Sequence, residues 1–203
     1  MTAPPSSSEA PFDIWRGALV RLRAVEPEDA TALRAQDDSQ VQRQGHVVHF
    51  PSSAEAQREW ATERAKRSED DRCFLAIERL EDAALVGTIS VWLADQRHGR
   101  FALGLALYRP YWRQGLGSDA VLLLLRYYFT ELRYMKCEAG VYAFNDASLG
   151  LFHSLGFVEE GRRRSAVFTL GRRWDDVLFG MTAAEFAETH PAYAEHLADQ
   201  TAE

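Results

Sequence analysis

The residues Tyr111-Trp112-Arg113-Gln114-Gly115-Leu116-Gly117-Ser118 lie between a strand-like run and the strongly apolar segment Ala120-Val121-Leu122-Leu123-Leu124-Leu125. Glycines at the mouth of a helix let backbone N–H groups close on an anion, and the helix end adds partial positive charge. Phosphate binding is therefore one chemistry open to this stretch, although a plain packing turn explains the same glycines. A Walker loop needs Gly-Lys-Ser/Thr, and the stretch has no lysine, which argues against phosphoryl transfer from a nucleotide. Gly115-x-Gly117-x-x-Ala120 fits the dinucleotide fingerprint, with Glu138 near the spacing of a ribose-binding acid. That fingerprint should follow its strand at once inside a parallel βαβ unit. Here Arg109 to Gln114 intervene, and the preceding strands read as an antiparallel meander.

Other chemistry-bearing residues read more plainly. His46-x-x-His49 lacks a third ligand nearby, so it is a loop pair and no metal is expected. Arg162-Arg163-Arg164 suits a solvated edge or a cofactor-phosphate helper better than a nucleic-acid patch. Trp60, Tyr127 and Tyr128 fit helix packing rather than base stacking. Cys73 and Cys137 stand far apart without a CxxC spacing, in apolar strand-like surroundings, and read as buried free thiols.

The elements that must position these residues follow from periodicity. Residues 1–16 form a Pro/Ser-rich tail, 17–190 one domain, and 191–203 a C-terminal extension. Leu19 to Arg23 alternates as a strand, and Glu26-Pro27-Glu28-Asp29 opens a helix. A polar segment, Asp37 to Pro51, precedes a helix that Ser52 and Glu55 cap as a box and that runs to about Arg67. Three strands, Cys73–Glu78, Leu85–Trp92 and Phe101–Tyr108, form the meander. A buried helix to about Thr130, a strand Cys137–Tyr142 and a short helix Asp146–Leu155 come next. Val158–Leu170 and Trp174–Met181 pair as a hairpin around Gly171-Arg172. Thr182 with Glu185 caps a last helix, which Pro191 interrupts.

The chain of 203 residues is 46% hydrophobic, 11% aromatic and 26% charged, enough for one sizeable core. Its net charge of −7 disfavours nucleic-acid phosphates and anionic lipid as bulk partners, and weakly favours cationic small molecules or basic peptide ends. No stretch approaches a membrane span, and the N-terminus lacks the pattern of a secretion signal, so a cytoplasmic protein is expected.

Gly104-x-x-Leu107 to Trp112-Arg113-Gln114-Gly115-Leu116-Gly117-Ser118-Asp119-Ala120 resembles the coenzyme-A pyrophosphate motif of the GNAT acetyltransferase superfamily. Trp112 and Gln114-Gly115 look like its RimJ/RimL subgroup. Val141 to Ser148, with Leu155-Gly156-Phe157 through Glu160-Gly161, is similar to that subgroup's N-x-x-S and LGF-x-x-EG block. Trp174-Asp175-Asp176-Val177 looks like its last strand. The resemblance spans about Ala18 to Met181. It implies an α+β, three-layer α/β/α fold whose mixed, mostly antiparallel central sheet splays between its fourth and fifth strands, with helices on both faces.

It also implies acetyl-coenzyme A as co-substrate and an amine acceptor, a protein N-terminus or a small amine. Backbone groups of Leu105, Ala106 and Leu107 would meet the pantetheine arm, and a bulge there would aim an N–H at the thioester oxygen. The N–H groups of Arg113, Gln114, Gly115, Leu116, Gly117 and Ser118 would take the pyrophosphate. Asn145 would bond the pantetheine amides or cap the helix before Asp146. Phe152 joins the cofactor set. Ser148 would protonate the departing thiolate, with Tyr142 as the second acid. The usual glutamate base is missing, since Ala102 stands in its place, and the RimL-like carboxylate position shows Ala166-Val167. His46, His49, Asp95, His98, Tyr142, Asp175 and Asp176 remain candidates, as does a water relay. An acyl-coenzyme-A sensor without catalysis and a dinucleotide oxidoreductase are the rival functions, and a homodimer is left open.

Overall fold

Val20–Ala24 forms the first strand, β1, with Val20 and Leu22 buried and Arg21 facing out, as its alternation requires. The protein, a computed structural model, is described over residues 13–34, 38–45, 48–66 and 70–194. Most of the tail, the end of the C-terminal extension and His46 lie outside the described residues.

A 3-10 turn at Pro27–Asp29 leads into α1 (Ala30–Leu33), and the Asp29 carboxylate accepts the Glu26 N–H at 2.8 Å. The polar segment contains a helix that its pattern does not announce, α2 (Ser39–Gly45), whose buried anchor is the single Val41. Helix α3 (Ala54–Ala65) is capped by Ser53, not Ser52: Ser53 is extended and its hydroxyl accepts from the Ala56 N–H at 3.1 Å. Ser52 instead accepts from the Gln57 side chain.

The meander is β2 (Cys73–Arg79), β3 (Leu85–Asp95) and β4 (Arg100–Leu107). Helix α4 (Leu116–Arg126) follows, then β5 (Lys136–Tyr142), α5 (Asp146–Ser154), β6 (Val158–Thr169), β7 (Arg172–Thr182) and α6 (Ala183–Thr189). Regular α4 stops at Arg126 and widens into a π turn, Tyr127–Glu131. There the consecutive rings of Tyr128 and Phe129 both bury against Phe101, at centroid distances of 4.4 and 5.6 Å. The Thr182–Glu185 capping box is formed as expected. Of the two free thiols, Cys137 is buried and Cys73 half-buried.

Among the described residues, seven strands order as β1-β2-β3-β4-β5-β7-β6. All pairs are antiparallel except β4 with β5, which α4 connects as a parallel crossover. The sheet is therefore mixed, with helices on both faces. The main core packs Ile77, Ile89, Phe101, Leu123, Phe179 and Phe186 between the sheet and α4, α5 and α6. A smaller core of Val25, Ala30, Leu33, Ala61 and Ala76 lies on the opposite face under α1 and α3. Among the described residues, no helix is long and apolar enough to cross a membrane.

Candidate active site

Strands β4 and β5 pair over only three positions, Arg100 with Lys136, Phe101 with Cys137 and Ala102 with Glu138, and then part. The direction of the bared backbone groups follows from the ladders on either side. Tyr108 N–H donates to the Val86 carbonyl at 2.9 Å, so alternate residues Ala106 and Gly104 face β3, while Leu105 and Leu107 face the gap. Ala143 N–H donates to the Asp175 carbonyl at 3.0 Å, so Val141 and Ala139 face β7, while Tyr142 and Gly140 face the gap. Two of these four are already engaged. The Trp112 indole donates to the Leu107 carbonyl at 2.8 Å, and the Asn145 N–H donates to the Tyr142 carbonyl at 2.8 Å. Among the described residues, Leu105 and Gly140 keep free amide and carbonyl edges on opposite banks. The gap opens into a cleft of about 1420 Å³, lined in part by Ser90, Gly104, Leu105, Ala106, Gly140, Tyr142, Asn145, Ser148, Phe152 and Asp176.

The expected bulge is present on the neighbouring strand rather than near Leu105 to Leu107. The β3–β4 ladder slips between Val91 and Leu93, opposite Leu103 and Ala102, where β4 leaves β5. Trp92 is the extra residue, and its indole donates to the Leu103 carbonyl at 3.3 Å.

At the N-terminus of α4, the first helical bond runs from Asp119 N–H to the Gly115 carbonyl at 3.1 Å. The N–H groups just before it have no acceptor within the helix and carry its partial positive charge. Gly115 caps the helix in the left-handed region at φ 78°, and Arg113 adopts φ 60°, a conformation that favours glycine. The Arg113 side chain is exposed. Gly117 is buried, and an added Cβ would stand 3.2 Å from Leu107, 3.3 Å from Leu105 and 3.7 Å from Leu151. Gly117 thus seats α4 between β4 and α5 whatever else it does. Leu116 is core, leaving only its backbone for a ligand. Gln114 is exposed and donates its side-chain amide to the Pro110 carbonyl at 2.9 Å; Ser118 is half-buried.

Asn145 is the N-cap of α5. Its Oδ1 accepts the Ser148 N–H at 3.1 Å, and its Nδ2 lies 3.5 Å from the Gln44 carbonyl. The capping role assigned from sequence is therefore occupied, with the side chain buried at the cleft wall. Phe152 is buried at the same wall, and the half-buried Ser148 lines the cleft in the first turn of α5.

A family profile described as "Acetyltransferase (GNAT) domain" matches residues 20–158. The chain belongs to the GNAT acetyltransferases. It is 38% identical over 176 residues, 87% of this chain and 97% of the relative, to the SPbeta prophage-derived uncharacterized N-acetyltransferase YokL of Bacillus subtilis. It is 27% identical over 82% of its length, and 93% of the relative's, to B. subtilis YdaF, whose name assigns it provisionally to ribosomal N-acetylation. A Vibrio cholerae spermidine N-acetyltransferase, solved with CoA and spermine, superposes with a TM-score of 0.72 over 82% of this chain and 97% of its own. At 18% identity that likeness concerns the fold alone. The family uses acetyl-coenzyme A, and this chain is an N-acetyltransferase enzyme of the GNAT family. The dinucleotide reading falls with the family match. One objection raised against it does not hold, since β4-α4-β5 is a parallel crossover, but Tyr108 to Gly115 do separate strand from helix.

Within this GNAT site the candidate bases separate by place. Asp95 and His98 lie at the β3–β4 turn, where β4 and β5 are still paired. There the Asp95 carboxylate accepts the His98 N–H at 3.2 Å and pairs with Arg100 at 3.3 Å. His49 is exposed at the cleft rim. Asp175 accepts the Ser165 N–H at 2.9 Å, holding an irregularity of β6 between Arg163 and Val167 that also carries Ala166. Asp176 differs. It stands opposite Tyr142 on β5 and opposite Arg163 on β6, so Arg163, Asp176 and Tyr142 form one row across three strands. Its carboxylate is 11% exposed, Oδ2 pairs with Arg163 at 2.8 Å, and Oδ1 is buried with no hydrogen-bond partner among the described residues. Burial raises the Asp176 carboxyl above its ordinary range against the pull of Arg163. Burial, then the Asp176 charge, raises the Tyr142 phenol. The sequence names Asp176 without separating it from Asp175. The signal was the period of two, which puts neighbouring aspartates on opposite faces, but which face borders a cleft depends on the sheet order.

Proposed function

We propose that the protein transfers an acetyl group from acetyl-coenzyme A to a primary amine, with a protein α-amine as the acceptor class, in the manner of RimJ/RimL-type enzymes. The observation that carries this is the parting of β4 and β5 into a cleft with the N-terminus of α4 close by. The backbone edges of Leu105 and Gly140 suit the two amides of a pantetheine arm, and the N–H groups at the mouth of α4, from Arg113 to Ser118, suit its pyrophosphate. The small residues Gly104, Ala106 and Gly140 leave room on the face opposite α4 and α5, where the acceptor would arrive. The amine nitrogen attacks the thioester carbonyl, the carbon–sulfur bond breaks, and Ser148 delivers a proton toward sulfur, with Tyr142 the alternative donor.

Free-thiol release tests the reading with acetyl-coenzyme A and three acceptors: Ala- and Ser-initiated peptides, their N-terminally blocked counterparts bearing lysine, and spermine. The free α-amine peptides should be turned over, and the blocked ones should not. Turnover of spermine alone would move the acceptor class to polyamines. Binding of acetyl-coenzyme A without turnover of any amine would favour the sensor.

A further inference from the structure

We infer that Asp176 is the group that takes the proton from the acceptor amine, with Arg163 holding the carboxylate in place until the amine arrives. This rests on the acetyl-transfer reading. The family's usual glutamate position on β4 is Ala102, which is buried, so the base must come from another element. The cleft face between β5 and β7 offers one buried carboxylate among the described residues, Asp176. Its placement is specific. Gly140, on the gap-side strand, lacks the Cβ that would stand 3.2 Å from Asp176 Oδ1, and that space lets the carboxylate lean toward the gap. Asp176 is one strand in from the gap edge, about 5 Å, within reach of an amine directly or through one water.

The two oxygens are unequal. Oδ1 is enclosed and has no hydrogen bond from the described residues, so the anion lacks part of the solvation it would have in water. Oδ2 faces Arg163, whose side chain is 63% exposed and can swing into solvent at small cost. A desolvated carboxylate held by a loose surface cation is poised to exchange that cation for an ammonium group. The charged and titratable groups facing it are Arg163 from β6 and Tyr142 from β5. Glu138, further along the same face of β5, is engaged by Arg100 at 3.4 Å.

An ammonium acceptor gives one proton to an Asp176 oxygen, and the freed lone pair forms the nitrogen–carbon bond. The carbon–sulfur bond breaks, and nitrogen's second proton goes in net to sulfur, giving amide and free thiol. Asp176 then returns its proton to water. Proton transfer from an α-amine, with a pKa of about 8, is easier than from a lysine-type amine at about 10.4, by more than two powers of ten whatever the carboxyl's own value.

The test uses the full chain, acetyl-coenzyme A and an Ala-initiated peptide. Asp176→Asn should lower kcat/KM for the peptide by about 10²–10⁴ at pH 7, with acetyl-coenzyme A affinity by calorimetry unchanged. Its rate should rise with pH only as the free amine itself deprotonates. Arg163→Gln removes the cation that lowers the Asp176 carboxyl, so the acid limb of the rate–pH profile should move to higher pH. In the Asp176→Asn background the same change should move nothing. Activity of Asp176→Asn within threefold of the parent, or an acid limb that Arg163→Gln leaves in place, overturns the inference while acetyl transfer stands. Failure of the parent to bind acetyl-coenzyme A would sink both.

Discussion

Replacing Ser148 by alanine should slow turnover without loosening the fold, and the geometry of α5 says why the two can be separated. The helix is capped by the neighbouring Asn145 side chain, whose Oδ1 accepts the Ser148 backbone N–H at 3.1 Å. Alanine at 148 keeps that N–H, and its helix propensity is better than serine's by a few tenths of a kcal/mol, so Tm should hold or rise slightly. Asn145→Ala removes the cap instead, at about 1 kcal/mol, which for a domain of this size is a fall of about 2–4 °C. For turnover, general-acid assistance is worth about 10²–10⁴, and a thiolate is an easy leaving group, so the effect lies at or below the low end. Ser148→Ala should therefore lower kcat by about 10- to 100-fold, about 1.4–2.7 kcal/mol of barrier, with the Michaelis constant for acetyl-coenzyme A little changed. The assay is initial-rate thiol release at saturating acceptor, with calorimetry for cofactor affinity. A donor with a more acidic thiol should narrow the gap between variant and parent. If Ser148→Ala keeps its kcat, or loses as much Tm as Asn145→Ala, serine is part of the helix end and Tyr142→Phe becomes the variant to measure.

Gly115→Val places a β-branched residue at φ 78° and should cost about 1–3 kcal/mol of stability while weakening acetyl-coenzyme A binding; calorimetry on the folded fraction reads both. Asp119 accepts the backbone N–H groups of Leu19 at 2.7 Å and Val20 at 2.9 Å, fastening β1 to α4, so Asp119→Asn should lower Tm by about 4–8 °C, the equivalent of about 2 kcal/mol. Burial alone would raise the carboxyls of Glu78 and Asp29, but hydrogen bonds from Arg21 and Arg23 outweigh it and hold both below the ordinary range. Their contribution to stability is therefore fully present above about pH 5 and drains away as pH falls toward their folded-state values. Thermal melts from pH 6 to 3 should show this loss, and Glu78→Gln should flatten it.

The sequence by itself determined most of the element order. Alternation in β1 to β4, the apolar run of α4, and the Thr182–Glu185 box are local signals, because each reports one residue's burial or one turn's hydrogen bonds. The same local logic marked Gly115 and Gly117 at a helix mouth and Asn145 before α5. It failed on α2, where a single buried valine leaves no period to read. It misplaced the α3 cap by one residue, since Ser52 and Ser53 offer the same hydroxyl and only backbone direction chooses between them.

Only the tertiary structure decided the site. That β4 and β5 stay together for three pairs and then part is a property of two strands about 35 residues apart in sequence, and no period along either encodes it. The free edges at Leu105 and Gly140 follow from which neighbour each strand bonds on its other side. Asp175 and Asp176 are chemically identical in the sequence. Sheet order puts one carboxylate on a backbone N–H of β6 and turns the other, largely desolvated and paired with a loose arginine, toward the cleft. A side chain's type is written in the chain, but its desolvation and its partners are set by segments remote from it, and those govern what its proton can do.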